Sequence, residues 1–83
     1  MNVDDLALRA LGKCRVEGWD RTWPQAGCYL YLEVSEFIEA LRGKGEATPT
    51  EEAADVLFVL FSTLKAHDIN PSEVLDALDG MLP

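Results

Sequence analysis

The stretch Leu32-Glu33-Val34-Ser35-Glu36-Phe37-Ile38-Glu39-Ala40-Leu41, followed by Arg42-Gly43-Lys44-Gly45 and then Thr48-Pro49-Thr50-Glu51-Glu52-Ala53-Ala54-Asp55-Val56-Leu57, reads as two helices joined by a short turn. On the first arm Leu30, Val34, Phe37, Ile38 and Leu41 recur at helical spacing. Gly43-Lys44-Gly45 stops it, because glycine takes the left-handed conformation that ends helices. The second arm has a local start signal: Thr48 to cap, Pro49 at the first helical position and Glu51 to reciprocate. It then carries Val56, Leu57, Leu60, Phe61 and Leu64. The run Val56–Phe61 is apolar enough for a strand, but it lies inside a capped segment of helical length and is read as a helix buried on most sides.

Upstream, Val3 to Glu17 places Leu6, Ala10, Leu11 and Cys14 on one side of a first helix, with Asp4 and Asp5 at its positive end. Gly18-Trp19-Asp20-Arg21-Thr22-Trp23 breaks the period and sets two tryptophans in a polar connection. Pro24 suits the first turn of the second helix, which is expected to run to about Arg42. Downstream, Asn70-Pro71-Ser72-Glu73 starts a short fourth helix with Val74, Leu75, Leu78 and Leu82 on one side. The expectation is an all-α chain of about four helices, one domain over residues 1–83, built on a central antiparallel helix hairpin.

A chain of 83 residues buries only roughly 60% of the surface its unfolded form exposes. Four amphipathic helices of this length leave apolar stripes uncovered, so a homodimer or dimer of dimers is expected, with hairpins pairing into a four-helix-bundle core. Seven Lys and Arg stand against 15 Asp and Glu, which disfavours nucleic acid as a partner. A small phosphorylated ligand remains compatible if divalent metal inverts the local field. Asp4 and Asp5 stand where a signal peptide carries positive charge, and no apolar run approaches the ~20 residues that span a bilayer, so a cytoplasmic protein without membrane association is expected. Cys14 and Cys28 are too few and too far apart for a zinc or redox motif and are expected to be buried or half-buried.

Glu33 and Glu36 are three apart on one arm, and Glu52 and Asp55 three apart on the other, so each pair shares a helix face. Counting from the turn sets Glu36 opposite Asp55, on the order of 9 Å from the helix ends at 1.5 Å per residue, with Glu39 near the level of Glu52 and Glu33 about a turn deeper. Like charges gathered this way raise one another's pKa unless a cation neutralises them. An oxygen-only donor set points to a hard ion, Mg²⁺ or Mn²⁺.

Glu33-Val34-Ser35-Glu36 and, after fifteen residues, Glu52-Ala53-Ala54-Asp55 resemble the E-x-x-E and E-x-x-D signature of the MazG-like, all-α nucleoside triphosphate pyrophosphohydrolases. The apolar positions around both pairs are similar to that family's central helices, and Arg21-Thr22-Trp23 resembles an R-x-W element of its dCTP and dUTP branches. The resemblance implies cleavage of a nucleoside triphosphate between its α and β phosphates to the monophosphate and pyrophosphate, with Mg²⁺ as cofactor. It implies Glu33, Glu36, Glu52 and Asp55 as catalytic metal ligands, one glutamate serving as base in place of ligand. Trp19, Trp23 or Tyr29 would stack on the base, and Arg21, Lys13, Arg42 or Lys44 would meet phosphate. One departure is plain. Family members often carry C-terminal Lys, Asn and Arg, but after Lys65 this chain has neither Lys nor Arg. A catalytically inactive dimerisation or nucleotide-binding module on the same scaffold is the alternative. His67, near the end of the third helix, is expected to interact with the helix dipole.

Overall fold

The computed structural model describes all 83 residues, Met1–Pro83. Four helices follow in order, α1 (Val3–Glu17), α2 (Trp23–Leu41), α3 (Pro49–Ala66) and α4 (Pro71–Met81), with no strand. Their ends follow local chemistry. Asn2 Oδ1 accepts from the backbone of Asp4 and Asp5, and Gly18 at φ 74° closes α1. Asp20 accepts from the amide and hydroxyl of Thr22 at the entry to α2. The α3 capping box forms as expected: Glu51 N–H donates to Thr48 Oγ1 at 3.2 Å, and Thr48 N–H donates to Glu51 Oε1 at 3.1 Å. At α4 the Asn70 amide donates to Glu73 Oε2 at 2.9 Å.

α3 is the central element. α2 packs along one side of it and α1 along another, while α4 leans on α1 and the end of α3; α1 and α2 do not meet. Small residues let α1 approach closely, with Ala7, Leu11 and Cys14 buried on its α3-facing side. On α2 the row turned inward is Ala26, Leu30, Glu33, Phe37 and Ala40, all buried or half-buried. This differs from the apolar stripe expected there: Leu30 and Phe37 lie in the row, but Val34, Ile38 and Leu41 are exposed. Cys28 is exposed too, correcting the expectation of burial; two residues from Ala26, it points some 200° away from α3.

The turn also differs from a symmetric hairpin. Gly43 and Gly45, at φ 79° and 80°, fold the link back along α2, and Lys44 N–H donates to the Glu39 carbonyl. Lys44 to Ala47 therefore border a hollow shared with Glu36, Glu39 and Glu52. α3 consequently starts about a turn inside the end of α2, which brings Glu52 to Glu36 and leaves Asp55 beside Glu33. No helix is long and apolar enough to cross a membrane.

Candidate active site

Glu33 on α2 belongs to the row that faces α3, four residues after Tyr29 and three before Glu36. From α3, Glu52, Asp55, Phe58, Val59 and Ser62 form the answering face, spaced by three and four residues. Ligand oxygens of Glu33, Glu36 and Glu52 lie within 4.8 Å of one another. Asp55 stands outside that trio but close enough to repel both Glu33 and Glu52. One Oε2 atom each of Glu33 and Glu52 is buried and meets no hydrogen-bond donor of the protein.

The electrostatics follow from this geometry. Desolvation first, then the charges of Glu36 and Asp55, push the Glu33 carboxyl up to about 7 from an ordinary 4.5. The same causes, in the same order, raise Glu52. No Lys or Arg relieves them, for the one salt bridge in the protein joins Arg42 to Glu39 at 2.9 Å. Buried carboxylate oxygens without donors are costly unless a cation meets them. The donor set is oxygen alone, from three or four carboxylates, and it fits a hard divalent ion.

Beside the carboxylates opens a cleft of about 580 Å³. Lys13, Trp19, Arg21 and Tyr29 line one part of it, Phe58 and Val59 its floor, and Glu33 and Asp55 its acidic end. Trp19 meets Phe58 edge to face, with centroids 6.1 Å apart, and Lys13 Nζ sits 5.6 Å from the centre of the Trp19 ring. Of the residues expected from sequence, Trp19, Arg21, Tyr29 and Lys13 thus share one cleft with Glu33 and Asp55. Trp23, 77% exposed, does not line it. Lys44 borders the separate hollow with Glu36 and Glu52, and Arg42 is paired with Glu39. His67 Nδ1 lies 2.8 Å from the Thr63 carbonyl at the end of α3. Phe58, Val59 and Ser62 were not anticipated as site residues. Their spacing of three, four and seven residues from Asp55 was the available signal, masked by an apolar run that reads as core.

The model of the phosphoribosyl-ATP pyrophosphohydrolase family matches residues 28–80, more than half of the chain. The chain belongs to that family. The expected kinship with MazG-like, all-α pyrophosphohydrolases holds, and membership supports a pyrophosphohydrolase-type activity on phosphoric anhydrides. The match takes in all four carboxylates, Tyr29 and Phe58, whereas α1, Trp19 and Arg21 precede it. Comparison with curated proteins and with solved structures returned no match.

Proposed function

We propose that the protein is a Mg²⁺-dependent nucleoside triphosphate pyrophosphohydrolase, with Mn²⁺ able to replace Mg²⁺, that cleaves its substrate between the α and β phosphates to a monophosphate and pyrophosphate. The observation that carries this reading is the carboxylate trio, with its two buried and donor-free oxygens, whose member Glu33 lines an aromatic cleft together with Asp55. Glu33, Glu36, Glu52 and Asp55 are the residues that would hold the metal. When bound, a divalent ion neutralises phosphate oxygens and lowers the pKa of a water. The chain's own residues supply the rest. Tyr29, Phe58 and Trp19 offer flat apolar surface to a base. Lys13 and Arg21 add positive charge to the same cleft.

A second copy of the chain is part of the same reading. Only nine residues are buried. The radius of gyration, 13.5 Å, exceeds the roughly 12 Å of a compact chain of this length. The surface of 5956 Å² exceeds by about 1,000 Å² what a folded monomer of 9.2 kDa exposes. That excess is comparable to the ~800 Å² each partner buries in a standard interface. Tyr31, Val34, Ile38 and Leu41 form an exposed apolar stripe on α2 that a partner's hairpin would cover, making a four-helix core.

The test is an incubation with canonical and modified nucleoside triphosphates and with phosphoribosyl-ATP, with Mg²⁺ or with excess chelator, reading pyrophosphate and monophosphate. Release that needs Mg²⁺ and disappears in Glu36→Ala is expected. A folded protein that turns over nothing in the panel would replace the enzyme by a binding module.

A further inference from the structure

Behind the wall that Trp19 and Arg21 give to the aromatic cleft lies a second hollow, of about 270 Å³, which the same two residues border together with Arg15, Asp20, Thr22 and His67. None of the carboxylate trio reaches it. It forms where three helix ends meet: α1 ends just after Arg15, α2 is capped by Thr22 and α3 by His67. Arg15 is exposed and pairs with no carboxylate, since the one salt bridge joins Arg42 to Glu39. Arg21 is only 7% exposed, fixed by its Nε donating to Ser62 Oγ at 2.8 Å and its Nη1 to the Asp20 carbonyl at 3.1 Å. Arginine does not shed its proton at any ordinary pH, so both charges persist.

In a chain of net charge -8 this hollow is locally positive. The only acid on its wall is Asp20, and both carboxylate oxygens are taken, Oδ1 by the Thr22 amide at 2.8 Å and Oδ2 by the Thr22 hydroxyl at 2.9 Å. Asp20 offsets one of the two arginines and leaves the other uncompensated. The α2 helix adds to that surplus, because Thr22 makes no side-chain cap bond and the positive end of the dipole starts on the hollow's rim. The negative ends of α1 and α3 are muted, since the amides of Gly18, Trp19, His67 and Asp68 engage their last carbonyls. Arg21 acts here through its field, so the surplus does not depend on where its free N–H groups point.

We propose that this hollow is a second, metal-independent site that binds a phosphate group, free or as the monoester of a small sugar, with Arg15 as the residue that contacts it and Arg21 as the fixed charge behind it. A guanidinium only donates, in a planar fork that matches the spacing of phosphate oxygens, which suits a phosphate better than a cation or an apolar group. The hollow has less than half the volume of the aromatic cleft, which selects a phosphate or a phosphorylated pentose over a whole nucleotide. The proposal does not rest on the hydrolytic reading, because no carboxylate of the trio and no metal takes part.

The experiment is an NMR titration of the isotope-labelled protein in excess chelator and at constant ionic strength, with inorganic phosphate and with ribose 5-phosphate, following backbone amide shifts. Saturable shifts are expected at Arg15, Asp20, Thr22 and His67, with the amides of Glu33, Glu36 and Asp55 unmoved. Arg15→Gln, with circular dichroism unchanged, should weaken both probes by about 10-fold or more, the loss typical of a hydrogen bond to a charged group. Arg9→Gln removes the same charge from the same helix but away from the hollow, and should change affinity by about twofold or less, because exposed charges at a distance are screened. Equal affinity for the two probes makes the free ion the occupant, and tighter binding of the ester makes it a phosphorylated sugar; both outcomes keep the site. Shifts centred on Lys13, Glu33 and Asp55, shifts that grow without saturating, or equal losses in Arg15→Gln and Arg9→Gln would each overturn the proposal, the last being the mark of net charge alone. Pyrophosphate release enters none of these readouts. Its absence would therefore remove the proposed hydrolysis and leave this site to be decided separately.

Discussion

Glu33 on α2 and Glu52 on α3 each bury a carboxylate oxygen, across the hairpin, where no protein donor meets it. With Glu36 they form the trio whose ligand atoms lie within 4.8 Å. A cation bound there stabilises the folded chain by mass action, about 1.4 kcal/mol at ten times its dissociation constant. For a domain of this size that is a rise in Tm of roughly 5–10 °C. The expected outcome is a Mg²⁺-dependent shift in scanning calorimetry that chelator reverses. Glu52→Gln should melt higher than the unsubstituted protein without metal, because a repelling charge is gone, and should lose most of the Mg²⁺ response. A full Mg²⁺ response in Glu52→Gln would sink this assignment of ligands.

The pH dependence of the metal-free protein follows from Glu33. Its folded pKa is about 7 against an ordinary 4.5. Below the lower value the carboxyl is protonated in both folded and unfolded chains and its contribution to stability is fully present. Between the two values the unfolded chain gives up the proton and the folded chain keeps it, so stability falls as pH rises through this window and the contribution is lost above about 7. After allowance for solvent screening the loss is on the order of 1–2 kcal/mol. Urea unfolding of the chelated protein between about pH 5 and about pH 8 should show this decline, and Glu33→Gln should flatten it. Parallel pH profiles for the two proteins would show that Glu33 does not carry the shift.

Asp4 ties the first helix to the last. Ser72 donates from its amide to Asp4 Oδ1 at 2.8 Å and from its hydroxyl to Asp4 Oδ2 at 2.6 Å, so an acid from α1 caps the N-terminus of α4. These two bonds hold the Asp4 carboxyl below its ordinary 3.8. A depressed pKa means that the stabilisation is present above the ordinary value and is lost as pH falls through the lower, folded one. Asp4→Asn should therefore loosen α4 at neutral pH and have little further effect in strong acid. Hydrogen exchange of the α4 amides is the direct measurement. Equal protection in both proteins at neutral pH would show that packing alone holds α4.

The helices were legible in the sequence because their signals are local: Thr48-Pro49 with Glu51, Asn70-Pro71 with Glu73, and glycines at positive φ where α1 and α2 end. The carboxylate pairs were legible for the same reason, each being an i,i+3 neighbour set. Their register was not, because it depends on how Gly43 and Gly45 fold the link back, which placed Glu36 against Glu52. Nor was the inward row of α2, since a reading by hydrophobicity passes over Glu33 and selects Val34 and Ile38. The burial of Arg21 depends on Ser62, 41 residues away, and the Asp4–Ser72 tie spans 68. Contacts of that separation leave no periodicity to find.

The exposed stripe Tyr31, Val34, Ile38 and Leu41 gives the last prediction. These side chains lie three and four residues apart on the face of α2 that turns away from α3, and Tyr31 is 82% exposed. If they pack against a second copy, Ile38→Glu places a charge in an apolar interface, and burying it unpaired costs several kcal/mol. Sedimentation should then show the unsubstituted protein as a dimer or dimer of dimers and Ile38→Glu as a monomer. The Tm of the unsubstituted protein should also rise with protein concentration, as it does when folding and association are linked. Arg9→Glu, an exposed change on α1 away from this stripe, should leave both readouts where they were. A monomeric unsubstituted protein whose Tm ignores concentration would remove the paired-hairpin core, and the thin packing around α3 would have to suffice by itself.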